Sequence, residues 1–424
     1  MALLLLLSGC LLRSPERLYA LPRQSESYNN LQSAIEEIVT DDIVYCSPTS
    51  GENQQPLQIR DLNGDGKNEA LVFAKTEGER PLKIYIFSQT GDQFSLVSTI
   101  EGSGSGFDSV QYAQMDNLQG MEIIVGRRVN DQVVKSLSVY ALRENSSVEL
   151  LSTNYSTYTL TDLDGDGQSD LFLIRPESDQ EAPEAELYRC RDGIVNRDPG
   201  VMLSCTSIRR VATGYADEAL SAVFVAGTAD NNATVTDVFI VRDGVLRNIA
   251  TGEDATNMTA RSYAVYAVDI DGDGLVELPE IETLKYGNLG GDQNVIRWYN
   301  LRSNGTKSYK MLTYHDFAHG FYMPLDITWL DSLSIEQDTR VTDGTAYRFS
   351  LRKGGNRKSD ELFTLYLFSG DEREELAGSD GRFLLADKND IVYAASIGST
   401  EKITEDQLRQ RFQFIRTDWQ SDGI

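Results

Sequence analysis

A nine-residue pattern opening on Asp and closing on an acid occurs three times: DLNGDGKNE at 61–69, DLDGDGQSD at 162–170 and DIDGDGLVE at 269–277. Positions 1, 3 and 5 carry oxygen-bearing side chains, and a winding loop aims them into one concavity. Position 6 is Gly, which takes a sharp turn that a Cβ would obstruct. Position 7 offers its backbone carbonyl, and the acid at position 9 closes the set. Such an all-oxygen shell suits Ca²⁺, which takes six to eight hard ligands at flexible geometry. The candidate ligands are Asp61, Asn63, Asp65, the Lys67 carbonyl and Glu69 in the first loop. The second supplies Asp162, Asp164, Asp166, the Gln168 carbonyl and Asp170. The third supplies Asp269, Asp271, Asp273, the Leu275 carbonyl and Glu277. Without a cation, each group of carboxylates would repel itself. The expected cofactor is therefore Ca²⁺, about three ions per chain.

The flanks decide what kind of loop this is. The third loop alone satisfies an EF-hand, with Glu280 at position 12; the first two have Val72 and Leu173 there. LQIR, YTLT and VYAV precede the loops, and ALVFA and LFLI follow the first two, which reads as strands rather than helices. Pro279 would also break a helix after the third loop. The loop starts are 101 and 107 residues apart, and weaker copies stand near half that spacing, at Asp116–Glu122 and at Asp217-Glu218. The copy at 116–122 reads as two residues shorter and without the metal. Strand pairs recur around turns at 82–100, 136–152 and 236–250, each alternating apolar and polar residues. Five units of about 50 residues, each of several short strands, predict the blades of a β-propeller.

The ends read differently. Residues 1–12 are MALLLLLSGCLL, too short an apolar run to span a bilayer. Leu7-Ser8-Gly9-Cys10 is similar to a bacterial lipobox, with residues 1–9 as signal peptide and Cys10 as the acylated residue. Residues 10–40 read as a lipidated tether with one short helix, where Leu31, Ile35 and Ile38 recur at helical spacing. The propeller is expected over 41–311. The period is lost from about 311, and 312–424 reads as a small α+β C-terminal domain, or else as further blades. A closing helix is expected at 403–415, with Thr404 capping and Gln407 three residues on.

These units resemble the FG-GAP/VCBS repeats of integrin α-chain propellers and many bacterial surface proteins. GSGSGFDSVQYAQMDNLQGMEIIVG (102–126) resembles a whole inter-blade segment, with Gly106-Phe107 near the place of the Phe-Gly pair. The likeness covers about 57–310, and with the lipobox the chain is similar to VCBS-repeat lipoproteins of Gram-positive gut bacteria. That resemblance implies a calcium-stabilised propeller with an extracellular binding or scaffolding role, and no reaction.

Composition narrows the alternatives. A formal net charge of −26 repels phosphate backbones, so no nucleic-acid partner is expected. The two His, His315 and His319, read as structural, and no CxxC or GxSxG is present. Cys190 and Cys205 bracket a candidate hairpin, and their pairing stays open. The expectation is a non-enzymatic lipoprotein at the outer face of a cell membrane. It would hold a protein or glycan partner, and the lipid at Cys10 would supply the membrane contact. The alternative is a polysaccharide-active lyase or glycosidase on a propeller scaffold, whose paired carboxylates this acidic chain could supply.

Overall fold

The computed structural model describes residues 26–39, 42–129, 135–175, 183–218, 220–252, 256–287, 294–352, 359–400 and 402–416. The expected signal segment 1–9, the lipidation site Cys10 and the first part of the tether lie outside the described residues. The protein is mainly β. The chain divides into two compact units, Met1–Tyr155 with Arg191–Val195, and Ser156–Cys190 with Asn196–Ile424.

Among the described residues the first unit holds two complete sheets. One consists of Val44–Tyr45, Leu57–Arg60, Glu69–Lys75, Leu82–Thr90 and Gln93–Gly102. The next consists of Gly106–Ala113, Glu122–Arg128, Lys135–Arg143 and Ser146–Tyr155. Leu71, Phe73, Ile84 and Ile86 of the first sheet form one core with Phe107, Val110, Ile123 and Val125 of the second. Phe73 and Phe107 meet edge-to-face across it, ring centroids 5.2 Å apart. The helix Glu26–Glu36 covers the outer face of the first sheet, burying Leu31 and Ile35 against Ala70, Val72 and Phe87. The helical spacing of those apolar residues had marked that face.

Four further sheets follow along the chain among the described residues. The third sheet contains Thr157–Thr161, Asp170–Arg175, Glu184–Arg191 and Ile194–Arg197, with Val201–Met202 added beside Glu184–Arg191. The fourth contains Ser207–Asp217, Leu220–Thr228, Thr234–Arg242 and Val245–Asn248. Leu278–Thr283, Asn294–Leu301, Lys307–Asp316, Phe321–Leu325 and Gln413–Phe414 make the fifth. The sixth runs Tyr286–Gly287, Leu333–Asp338, Gly344–Arg352, Ser359–Phe368, Ile391–Ile397 and Phe383–Lys388. Shared cores join the third sheet to the fourth, the fourth to the fifth and the fifth to the sixth. No sheet among the described residues closes on itself.

The strand pairs expected from turn chemistry are present. The pair at 136–152 turns on Glu144 and Asn145, and the pair at 236–250 on Asp243 and Gly244, all with positive φ. The inner strands of two of these pairs, Leu82–Thr90 and Lys135–Arg143, carry runs of consecutive buried residues in place of the alternation expected. Glu69–Lys75 and Glu122–Arg128 are buried along nearly their whole length; the first lies between the helix on one face and the core shared with the second sheet on the other.

The border expected at 311/312 falls inside the strand Lys307–Asp316. That strand pairs with Asn294–Leu301 before the border and with Phe321–Leu325 after it. Tyr286–Gly287 likewise pairs, in parallel, with Leu333–Asp338. Strands from both sides thus share sheets, a long-range pairing that a lapse of local repeat cannot reveal. The closing helix is Glu405–Arg411, with Thr404 and Gln407 forming a capping box and Leu408 buried.

No disulfide joins Cys190 to Cys205; both are buried. His315 stacks on Tyr322 and lies 2.9 Å from Thr313 Oγ1, and burial lowers its pKa to about 3. His319 contacts Asp316 through Nδ1 at 2.9 Å. Both sit in local packing.

Candidate metal centres

Each of the three loops is pinned between two paired residues. Arg60 pairs with Glu69, Thr161 with Asp170, and Val268 with Glu277, so position 9 lies across from the residue before position 1. VYAV supplies only that single bridge before the third loop. The position-9 carboxylate then accepts the backbone N–H of position 2: Leu62 at 2.9 Å, Leu163 at 2.9 Å and Ile270 at 3.1 Å.

The interior of the loop repeats as closely. Asp61 accepts N–H bonds from Gly64 and Gly66 at 2.7 and 2.9 Å. Asp162 accepts them from Gly165 and Gly167 at 2.8 and 2.9 Å, and Asp269 from Gly272 and Gly274 at 2.7 and 3.0 Å. Lys67, Gln168 and Leu275 donate their N–H to the position-5 Asp at 2.8, 3.0 and 2.9 Å. Both glycines of every loop are left-handed, with φ between 74° and 89°. The glycine at position 4, for which no role was expected, takes the same conformation as that at position 6 for the same reason.

Asp162, Asp164 and Asp170 bring carboxylate oxygens within 4.8 Å of one another, and so do Asp269, Asp271 and Asp273. The first loop has Asn63 in the central place, donating to Glu69 at 3.3 Å. Burial, then repulsion from Asp164 and Asp166, raises Asp170 to about 7. Burial, then Asp271 and Asp273, raises Glu277 to about 7. Glu69 is raised as well, mainly by burial, with a smaller push from Asp65. Asp273 instead is lowered, first by the Leu275 N–H and then by Lys310, whose Nζ lies 3.0 Å away.

The neighbouring strand places a different residue opposite each position-9 acid. Ser88 faces Glu69, Arg189 faces Asp170 and Asn300 faces Glu277, as the strand registers require. Ser88 donates to Glu69 at 3.3 Å, Arg189 Nη1 reaches Asp164 at 3.3 Å, and Asn300 Nδ2 donates to Glu277 at 2.6 Å.

The copy at 116–122 is not shortened. Ala113 pairs with Glu122, the same nine-residue span, so Gln114 holds position 1 and Asp116 holds position 3. Met115 N–H donates to Glu122 at 2.9 Å and Leu118 N–H to Asp116 at 2.8 Å, as their counterparts do elsewhere. Its acids at positions 1 and 5 are gone, and the guanidinium of Arg143 bridges the two that remain, 3.0 Å from each. Arg143 was missed in the sequence because it lies two residues beyond the position opposite Glu122. At Asp217-Glu218 there is no nine-residue span: Asp217 pairs with Leu220.

No protein-family model matches the chain, and no curated protein does. Solved structures do. One is an exotype rhamnogalacturonan lyase, at 12% identity and TM-score 0.28, covering 83% of this chain; this chain spans 62% of that lyase. Another is the β-propeller domain of the trilobed protease from Pyrococcus furiosus, at 13% identity and TM-score 0.27, covering 73% of this chain and 93% of that one. A third is Sqt1 of Saccharomyces cerevisiae, at 12% identity and TM-score 0.28, covering 85% and 97%.

Proposed function

We propose that this chain is a calcium-stabilised β-propeller module, anchored at the outer face of a membrane through acylated Cys10. It binds a protein or glycan partner and carries out no reaction of its own. The observation that carries the metal reading is the hydrogen-bond frame common to the three loops, together with the carboxylate clusters of the second and third. The donor set fits a hard divalent cation. Burial has pushed Asp170 and Glu277 to about 7, a cost that a cation would relieve. In the second loop Gln168 Oε1 is buried without a hydrogen-bond partner.

The holding residues would be Asp61, Asn63, Asp65, Lys67 and Glu69; Asp162, Asp164, Asp166, Gln168 and Asp170; and Asp269, Asp271, Asp273, Leu275 and Glu277. Ca²⁺, when bound, supplies the positive charge that keeps these carboxylates ionised. The chain's own part is to fix the loop ends by residue pairing and to turn the six glycine amides onto the position-1 acids. The serial packing of sheets within each unit supports the propeller reading, and the lipobox supports the anchor.

The test is calorimetric titration of chelated protein with Ca²⁺, together with fractionation of cells carrying Cys10→Ser. Binding of three Ca²⁺ and release of the variant from membranes are expected. No calcium heat, with a melting curve indifferent to chelator, would sink the metal reading. A variant that stays with the membrane would sink the anchor.

A further inference from the structure

A cavity of about 410 Å³ opens in the second unit between Met258–Tyr263, the strands Leu278–Thr283 and Asn294–Leu301, and Lys307. That volume is within the range of small-molecule sites. We infer that it binds a polyhydroxylated ligand carrying one carboxylate, a uronic-acid sugar. The inference rests on the binding-module reading and gives it a site.

The charge comes first. Arg261 lines the cavity at 6% exposure, and its guanidinium donates to Val265 O at 2.7 Å, Thr259 O at 3.0 Å and Thr236 Oγ1 at 3.0 Å. All three acceptors are neutral, and no carboxylate pairs with it among the described residues. A buried cation is ordinarily paired, so this one leaves a place for an anion. Lys307, also on the lining, is matched by Glu280 at 2.5 Å. Glu280 is further held by Arg297 at 2.6 Å and by the Tyr309 hydroxyl at 2.8 Å, so its carboxylate is already committed. Two cations and one carboxylate on the lining suit a ligand with a single negative charge.

The hydroxyl-binding groups come next. Tyr299 lines the cavity fully buried, and its hydroxyl has no hydrogen-bond partner. Glu280 and Arg261 line the same cavity. Asn294 accepts from Thr283 Oγ1 and donates to Tyr263 OH, each at 3.0 Å, presenting an oriented amide and hydroxyls together. Tyr263 is 46% exposed and offers a ring face on which the C–H face of a sugar could rest.

The test titrates the full chain, in saturating Ca²⁺, with galacturonate, galactose and acetate. Saturable galacturonate binding is expected, with galactose and acetate at least about tenfold weaker, since a site built for hydroxyls and one charge rejects ligands lacking either. Tyr299→Phe removes only the unpartnered hydroxyl; it should weaken galacturonate roughly tenfold with the melting temperature unchanged. Lys307→Met should weaken galacturonate more than galactose. No saturable galacturonate heat, acetate binding as tightly as galacturonate, or wild-type affinity in Tyr299→Phe would each overturn the inference. Calcium-dependent melting, measured on the same samples, reports on the metal reading separately.

Discussion

Arg143 donates through Nη2 to Glu122 Oε1 at 3.0 Å, reaching back from the end of the neighbouring strand. The same nitrogen lies 3.0 Å from Asp116 Oδ2, and both carboxylates are 1% exposed. In a loop with the span of the other three, a guanidinium stands among the acids. Removing it would take this guanidinium away from two buried carboxylates. Arg143→Met should therefore destabilise the protein by roughly 3 kcal/mol in denaturant titration. The triple variant Asp116→Asn, Glu122→Gln, Arg143→Met should recover most of that loss. A single variant as stable as wild type would show that the bridge does not matter.

Asp164 belongs to the second loop's carboxylate cluster with Asp162 and Asp170. Asp164→Ala should lower the calcium stoichiometry from three to two, the other two loops having ligand sets of their own. At a hundredfold excess of Ca²⁺ over Kd, each site adds about 2.7 kcal/mol, so the variant should lose about that much calcium-dependent stability. Calorimetry of chelated wild type and variant checks it; three sites in the variant would contradict the assignment.

The pH dependence of that stabilisation has a definite sign. Asp170 and Glu277 rise from ordinary values of 3.8 and 4.5 to about 7 in the metal-free fold. A raised acid favours folding while it is protonated, so this contribution is fully present below about 4 and is lost as pH rises through about 7. Calcium needs the ionised carboxylates and gains over the same window. The melting-temperature increment from Ca²⁺ over chelated protein should thus be larger at about pH 7.5 than at about pH 5.5. An increment equal or larger at the lower pH would refute the role of these two acids.

Two glycines separate backbone strain from crowding. Gly167 has φ +86°, with nothing within 4 Å of an added Cβ. Gly167→Ala should cost only the left-handed conformation, about 1 kcal/mol. Gly120 has φ +115°, and an added Cβ would lie 2.3 Å from Leu62 O. Gly120→Ala should cost roughly 2–4 kcal/mol, because backbone must also move. Thermal melts of the two variants check the order, and an equal loss would refute it.

The spacing of acids and glycines in the three loops by itself determined that these segments are turns, the first two between strands and the third between a single bridge and a strand. Gly at fixed places and Asp at alternate ones leave the chain few other conformations, and their short-range bonds all fall within nine residues. Strand pairs, the capping box at Thr404 and the buried helix face at Leu31 and Ile35 were legible for the same reason. Tertiary structure alone decided what lies opposite each acid. Ser88, Arg189, Asn300 and the guanidinium of Arg143 are brought there by strand register, roughly 20 residues along the chain. It also decided that Lys307–Asp316 joins strands from both sides of position 311, and that Arg261, Glu280 and Tyr299 line one cavity. Those outcomes depend on which sheets stack and in what register, a matter of burial summed over distant segments, and no local run of residues records it.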